Sequence, residues 1–152
     1  MSIKLRPASL DDLDIVHAIR RDAILGIPSE AGLSNRQSWA DGRSPEFFAD
    51  RVVAGHVVIA SSEGEAIGWG SSADARITGL YVRSSWSRMG IGRMIMSRLE
   101  REIVKRGHEY AKLESSPNAV AFYSRLGYTP VGLPDSEGAA PMKKPRLTGF
   151  TI

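Results

Sequence analysis

Strand-like alternation and amphipathic helical stripes predict a mixed α/β fold with helices on both faces of one sheet. Three observations carry this. A strand and two helices open the chain, residues 56–82 read as three successive strands, and helix then alternates with strand. At 152 residues the chain can bury a sizeable core, and it reads as a single domain over 1–152.

Ile3 to Arg6 alternates like a short strand closed by Pro7. Ser9 is a good N-cap with Asp11 and Asp12 in the first turn, and Leu13, Val16, Ile19, Ala23 and Ile24 make a helical stripe. Gly26 and Pro28 end that helix. Residues 29–43 read as irregular, with Ser34 capping a short helix through Trp39. Ser44-Pro45-Glu46 starts another helix carrying Phe47, Phe48 and Val52. His56 to Ala60 and Glu65 to Gly70 are strands around a Ser62-Glu63-Gly64 turn, and Ile77 to Val82 is a third. Ile91, Ile95, Leu99 and Ile103, with Met94 beside them, mark a long helix ending at Gly107. Tyr110 to Glu114 is a strand, Pro117 to Leu126 a helix with Gly127 at its end, Tyr128 to Val131 a strand, and Ala140 to Lys144 a last one.

Composition narrows the function classes. With no cysteine, disulfides, thiolate-bound zinc and thiol nucleophiles are excluded. Apolar runs such as Val57 to Ala60 are too short to span a bilayer, and Met1 to Arg6 lacks the apolar region of a secretory leader, so the expected location is cytoplasmic. The formal net charge of +3 is spread along the chain, without a basic run interleaved with aromatics, so no nucleic-acid partner is expected. No membrane partner and no metal are expected either.

The informative segment is Leu80-Tyr-Val-Arg-Ser-Ser-Trp-Ser-Arg-Met-Gly-Ile-Gly-Arg93. A strand enters a polar turn, a Gly-x-Gly pair follows, and then a helix starts. Glycines let backbone approach closely, and free N–H groups at a helix start attract anions, so the segment reads as a phosphate or pyrophosphate site. A P-loop needs Gly-Lys-Ser/Thr, but Arg93-Met94 follows the second glycine. A dinucleotide fingerprint needs a third glycine, where Ile95 stands.

A third option is an acyl-CoA site. Ser87-Arg-Met-Gly90-Ile-Gly92 resembles motif A of the GCN5-related N-acetyltransferases (GNAT), whose pattern is Gln/Arg-x-x-Gly-x-Gly/Ala. Ile77-Thr-Gly-Leu80-Tyr-Val82 matches the strand before that motif. Ser116-Pro-Asn-Ala-Val-Ala-Phe-Tyr-Ser-Arg-Leu-Gly-Tyr128 resembles motif B, typically Asn-x-x-Ala-x-x-Phe-Tyr-x-x-x-Gly-Phe, with Phe122, Tyr123, Gly127 and Tyr128 in register. The element order follows the family over residues 3 to 145. Ser87 stands in place of Gln or Arg, and Ser116 in place of Asn, with Asn118 two residues later.

The resemblance implies the GNAT fold, a mixed central sheet of six to seven strands flanked by about four helices. It implies an N-acetyltransferase moving an acetyl group from acetyl-CoA, as cosubstrate, to a primary amine by direct attack. The backbone of Leu80, Tyr81 and Val82 would hold the pantetheine arm, and Arg88, Met89, Gly90, Ile91, Gly92 and Arg93 the pyrophosphate. Asn118 would join the cofactor contacts, and Arg88 or Arg93 would supply the charge that Ser87 lacks. Tyr123 matches the tyrosine near the CoA sulfur and is the expected general acid. Many members carry a Glu base near Arg76, which cannot serve. Glu114 is the preferred base, with Asp74, His56 and ordered water as alternatives. Trp39 and Phe47 are candidate pocket walls, Trp69 reads as core, and Asp22, Glu30 and Asp41 would suit a cationic amine. Expected partners are a small-molecule or protein amine, and a homodimer is common among relatives. A second reading is an acyl-CoA-binding or sensing module with little or no catalysis, which the departures at Arg76, Ser87 and Ser116 keep open.

Overall fold

The computed structural model describes residues 2–28 and 36–147. Its elements are β1 (Ile3–Pro7), α1 (Leu13–Leu25), α2 (Arg36–Asp41), α3 (Ala49–Val53), β2 (Val57–Ser62), β3 (Glu65–Ala73), β4 (Arg76–Val82), α4 (Ile91–Lys105), β5 (Ala111–Ser115), α5 (Val120–Arg125), β6 (Thr129–Pro130) and β7 (Ala140–Lys144). The strands form a seven-stranded mixed sheet in the order β1-β2-β3-β4-β5-β7-β6. Five α-helices are formed among the described residues, in keeping with the expected architecture, and the short helix expected through Trp39 stands as α2. The expected Ser34 cap lies outside the described residues. The chain divides into two compact units, residues 1–71 with 79–96, and residues 72–78 with 97–152.

In the first unit, β1 pairs antiparallel with β2, and β2 with β3. Pro7 belongs to β1 rather than closing it, opposite Val58. This is an edge strand, where a missing ladder N–H is tolerated. Glu63 and Gly64 both have positive φ (50° and 84°) and close β2 onto β3 as a two-residue turn whose twist matches the strands. Val57, Val58, Ile59 and Ala60 are all buried, so β2 is covered on both faces. On one face Val16, Ile19, Phe48 and Val52 pack with Val57, Ile59 and Trp69. Trp69 is core, as its pattern suggests, and its indole N–H donates to Val16 O at 2.9 Å. On the other face, a Cβ placed on Gly68 would lie 3.3 Å from Ile95 Cδ1. Along α4 it is Met96 that is buried; Met94 is exposed, one step off the stripe.

In the second unit, β4 and β5 pair in parallel at Arg76↔Lys112. β7 pairs antiparallel with both β5 and β6. β5 alternates cleanly, with Ala111, Leu113 and Ser115 buried and Lys112 and Glu114 exposed. The segment from Pro117 is a 3-10 turn before it becomes α5, and the expected strand from Tyr128 shortens to Thr129–Pro130. Tyr128 instead turns its ring into the core.

Candidate active site

β4 needs two bare positions beside it. A Cβ on Gly79 would lie 3.1 Å from the Trp69 ring and from Ser71 Oγ, and one on Gly68 would lie 3.0 Å from Tyr81 O. Both contacts are tighter than most side chains make, and a methyl would need its neighbours to give by a few tenths of an ångström, so glycine lets Trp69 and neighbouring backbone close on the strand. Leu80, Tyr81 and Val82 are half-buried at its end. Arg83 fixes that end to β3: its N–H donates to Ile67 O at 2.8 Å and its Nε to Ala66 O at 3.0 Å.

A 3-10 turn over Ser84–Trp86 follows. Asp22, in the last turn of α1, caps it. Its Oδ2 accepts the Ser84 N–H at 2.8 Å and the Ser84 hydroxyl at 3.3 Å. Arg88 and Gly90 then adopt left-handed φ values of 63° and 83°. The first bond of α4 runs from Met94 N–H to Gly90 O at 3.1 Å. The N–H groups of Ile91, Gly92 and Arg93 therefore precede the helical ladder, at the positive end of its dipole. A Cβ on Gly90 would meet no atom within 4 Å, so open space lies over the turn. Arg88, Met89 and Arg93 are exposed, and neither arginine enters an ion pair among the described residues. The Ile91 side chain is buried, which leaves only its backbone for a ligand. Uncommitted donors, open space and exposed guanidiniums fit a pyrophosphate.

In the second unit Tyr123 is buried on α5, its ring edge-on to Phe122 at 5.1 Å and to Tyr128 at 5.9 Å. Gly127, at φ 98°, ends α5. Tyr128 N–H bonds back to Tyr123 O at 3.1 Å, and Gly127 N–H to Ser124 O at 3.1 Å, a Schellman closure. The turn delivers the Tyr128 hydroxyl to Glu100 Oε2 at 2.7 Å, and Lys144 Nζ reaches Glu100 Oε1 at 3.0 Å. Neither Glu100 nor Lys144 stands out in sequence; the available signal is Glu100 four residues after the buried Met96. Burial first, and then the Glu100 charge, raise the Tyr128 phenol well above its ordinary value.

Glu114 is exposed on β5, on the face opposite Leu113, and Asn118 is exposed in the turn before α5. Asp74 sits in the β3–β4 turn at φ 51°, at the end of β4 remote from Leu80 to Val82. His56 is half-buried just before β2. Phe47 is 46% exposed, and Trp39 is half-buried. The carboxylates expected to suit a cationic amine are otherwise engaged: Asp22 holds Ser84, and Asp41 accepts from Arg21 at 2.8 Å and from Gln37. Glu30 lies outside the described residues.

Residues 29–143 match the family model of the acetyltransferase (GNAT) domain. The chain belongs to this acetyltransferase family. The GNAT match includes both the Gly90 turn and Tyr123. Among solved structures, the chain is similar to a GCN5-related N-acetyltransferase of Rhodopseudomonas palustris, at 23% identity and a TM-score of 0.86, covering 95% of this chain and 96% of that one. It is similar to the PaiA N-acetyltransferase of Thermoplasma acidophilum, solved with coenzyme A, at 23% identity and a TM-score of 0.78, covering 95% and 99%. A third is the ribosomal-protein-S18-alanine N-acetyltransferase of Escherichia coli, at 20% identity and a TM-score of 0.65, covering 99% of each chain. These likenesses share the GNAT fold. No helix among the described residues is long and apolar enough to cross a membrane.

Proposed function

We propose that this GNAT chain, acting as a single domain over 1–152, transfers an acetyl group from acetyl-CoA to a primary amine. The supporting observation is the Gly90 turn, with open space over it and three uncommitted N–H groups at the start of α4. In this reading Arg88 to Arg93 hold the pyrophosphate, and the backbone of Leu80, Tyr81 and Val82 holds the pantetheine arm. Asn118 contributes to cofactor binding. The amine gives up a proton, with Glu114 assigned as base, and its nitrogen attacks the thioester carbonyl carbon. The C–S bond breaks, the acetyl group stays on nitrogen, and the thiolate takes a proton from Tyr123. The reading includes a cytoplasmic location and a homodimer, checked by cell fractionation and sedimentation.

The test is acetyl-CoA-dependent thiol release across an amine panel, with calorimetric CoA binding measured in parallel. Thiol release should match acetylated amine one for one. Tyr123→Phe should lower kcat about 100-fold, at the lower end of general-acid contributions, with CoA affinity retained. CoA binding without turnover on any amine supports the sensing module instead. No CoA binding, with Gly90→Glu making no difference, overturns both readings.

A further inference from the structure

The first compact unit contains a line of four aromatic rings: Phe47, Phe48, Trp69 and Tyr81. Successive centroids are 5.1, 5.4 and 5.0 Å apart. Three guanidiniums lie along it. Arg43 Cζ is 4.4 Å from the Phe47 centroid, Arg51 Cζ is 5.5 and 5.3 Å from Phe47 and Phe48, and Arg20 Cζ is 5.8 Å from Tyr81. Exposure rises along the line. Arg20 is 6% exposed, Arg51 is half-buried, and Arg43 is exposed.

Three like charges on one aromatic wall call for anions, yet among the described residues no carboxylate forms an ion pair with Arg20 or Arg43. Arg20 donates to Ala40 O at 3.4 Å, a long bond to a neutral acceptor. Asp22, two residues along α1, is committed to Ser84, and Asp41 to Arg21. Burying a cation without an anion is costly, and ring faces offset only part of that cost. Arg51 responds to this field: burial lowers its guanidinium from the ordinary value, Tyr81 opposes that, and Arg20 and Arg43 add to it. A bound anion would pair with Arg20 and Arg43 and relieve the repulsion on Arg51, whose Nη1 also donates to Ser71 Oγ at 3.3 Å. The line ends at Tyr81, whose backbone is assigned above to the pantetheine arm, so the anion would belong to the molecule that meets the acetyl group.

We infer that the acceptor is an amine that also carries a carboxylate, of the amino-acid type, and that Arg20 and Arg51 hold this carboxylate while Arg43 attracts it at the rim. The inference rests on the acetyltransferase reading and replaces the cationic amine suggested by Asp22 and Asp41. An arginine fork suits a planar carboxylate, and Phe47 and Tyr81, the two rings of the line that are not buried, suit an apolar side chain beside it.

The experiment compares leucine, methionine and phenylalanine with their decarboxylated amines under saturating acetyl-CoA, with spermidine as a polycationic probe. Decarboxylation removes the negative charge and leaves a primary amine of similar basicity. The amino acid of each pair should be favoured about 10- to 100-fold in kcat/KM, the worth of a charge-assisted hydrogen bond. Arg43→Gln, at an exposed position, should cut that preference several-fold through the KM of the amino acid, with the KM for acetyl-CoA unmoved. Arg20→Met and Arg51→Met should abolish it in protein whose circular dichroism is native. Equal use of both members, a preference for spermidine, or a preference intact in the folded variants would overturn the inference and leave the arginines as ring packing. Thiol release with other amines but with no amino acid would also overturn it. No thiol release with any amine, or no CoA binding, would instead count against the acetyltransferase reading.

Discussion

Tyr128 donates its hydroxyl to Glu100 Oε2 at 2.7 Å, and that carboxylate is only 3% exposed. Lys144 occupies its other oxygen. Gly127 makes the arrangement possible: its left-handed φ ends α5 and turns the chain into Tyr128. The Gly-aromatic pair of motif B is therefore the turn that seals a buried polar triad beside the Tyr123 ring.

Tyr128→Phe should destabilise the protein by about 1 to 3 kcal/mol, because Glu100 Oε2 loses its donor in the core. Lys144→Met should cost more, since it leaves a buried carboxylate without its cation. The pH dependence has a definite sign. The folded phenol lies above its ordinary value of 10.0, so its stabilising effect is complete below pH 10 and is lost as the pH rises beyond it. Urea unfolding at pH 8 and pH 11 should show that loss in wild type and a smaller one in Tyr128→Phe.

Asp12 ties β1 to the start of α1. Its oxygens take Arg6 Nη1 at 2.8 Å and Nη2 at 2.9 Å, and Oδ2 also accepts the Ser9 N–H at 2.8 Å. The Arg6 hydrogen bonds, foremost, bring its carboxyl down from 3.8 to about 2. A depressed carboxyl stabilises above its unfolded value, and the effect disappears as the pH falls from 3.8 toward about 2. Arg6 is half-exposed, so solvent screening holds the contribution to about 1 kcal/mol. Asp12→Asn should lose that amount at pH 7 and flatten the acid limb of a thermal-melt series. An unchanged acid limb would show that the pair contributes nothing.

Periodicity made α1, α4 and β7 legible, because their burial follows a helical or two-residue repeat. The Ala140 to Lys144 strand stands at the boundaries its pattern suggests. The long α4 stripe survives except at Met94, where methionines on both sides of Ile95 made the buried one ambiguous. The Gly-x-Gly turn was legible because glycine at positive φ has a backbone cause. What stayed hidden depends on contacts distant in sequence. Asp22 reads as a carboxylate suited to a cationic amine until Ser84 is placed 62 residues away. Arg20 carries no signal in the α1 stripe, yet it is buried against Tyr81.

Arg88 sets stability against binding. It holds a left-handed φ of 63° that a Cβ disfavours by about 1 to 2 kcal/mol. Arg88→Gly should relieve that strain and raise the melting temperature slightly. If Arg88 supplies charge to the pyrophosphate in place of Ser87, the same change should raise the KM for acetyl-CoA several-fold. Gly90→Ala should act differently. It adds strain of about 1 kcal/mol and fills space that is open in the structure, lowering both stability and CoA affinity. A melting temperature that falls in Arg88→Gly would contradict the strain argument, and an unchanged KM would remove Arg88 from the cofactor site.

The Asp22–Ser84 bond makes α1 a support for the turn proposed to hold the cofactor. Asp22 caps the Ser84 N–H from another element, and a Cβ on Gly26 would lie 2.5 Å from Ser84 Cβ. The turn thus rests against the end of α1 through one hydrogen bond and one glycine-width contact. Asp22→Ala should cost about 1 kcal/mol, as the loss of a cap does, and should raise the KM for acetyl-CoA more than it lowers kcat. Gly26→Ala should shift the same parameter, because the added methyl must push Ser84 away. Ser84→Ala keeps the backbone donor and removes only the 3.3 Å hydroxyl contact, so its KM should stay near wild type. Equal KM shifts in Ser84→Ala and Asp22→Ala would move the effect from the backbone cap to the hydroxyl. An Asp22→Ala protein with wild-type KM and lowered stability would make the contact a fold element alone.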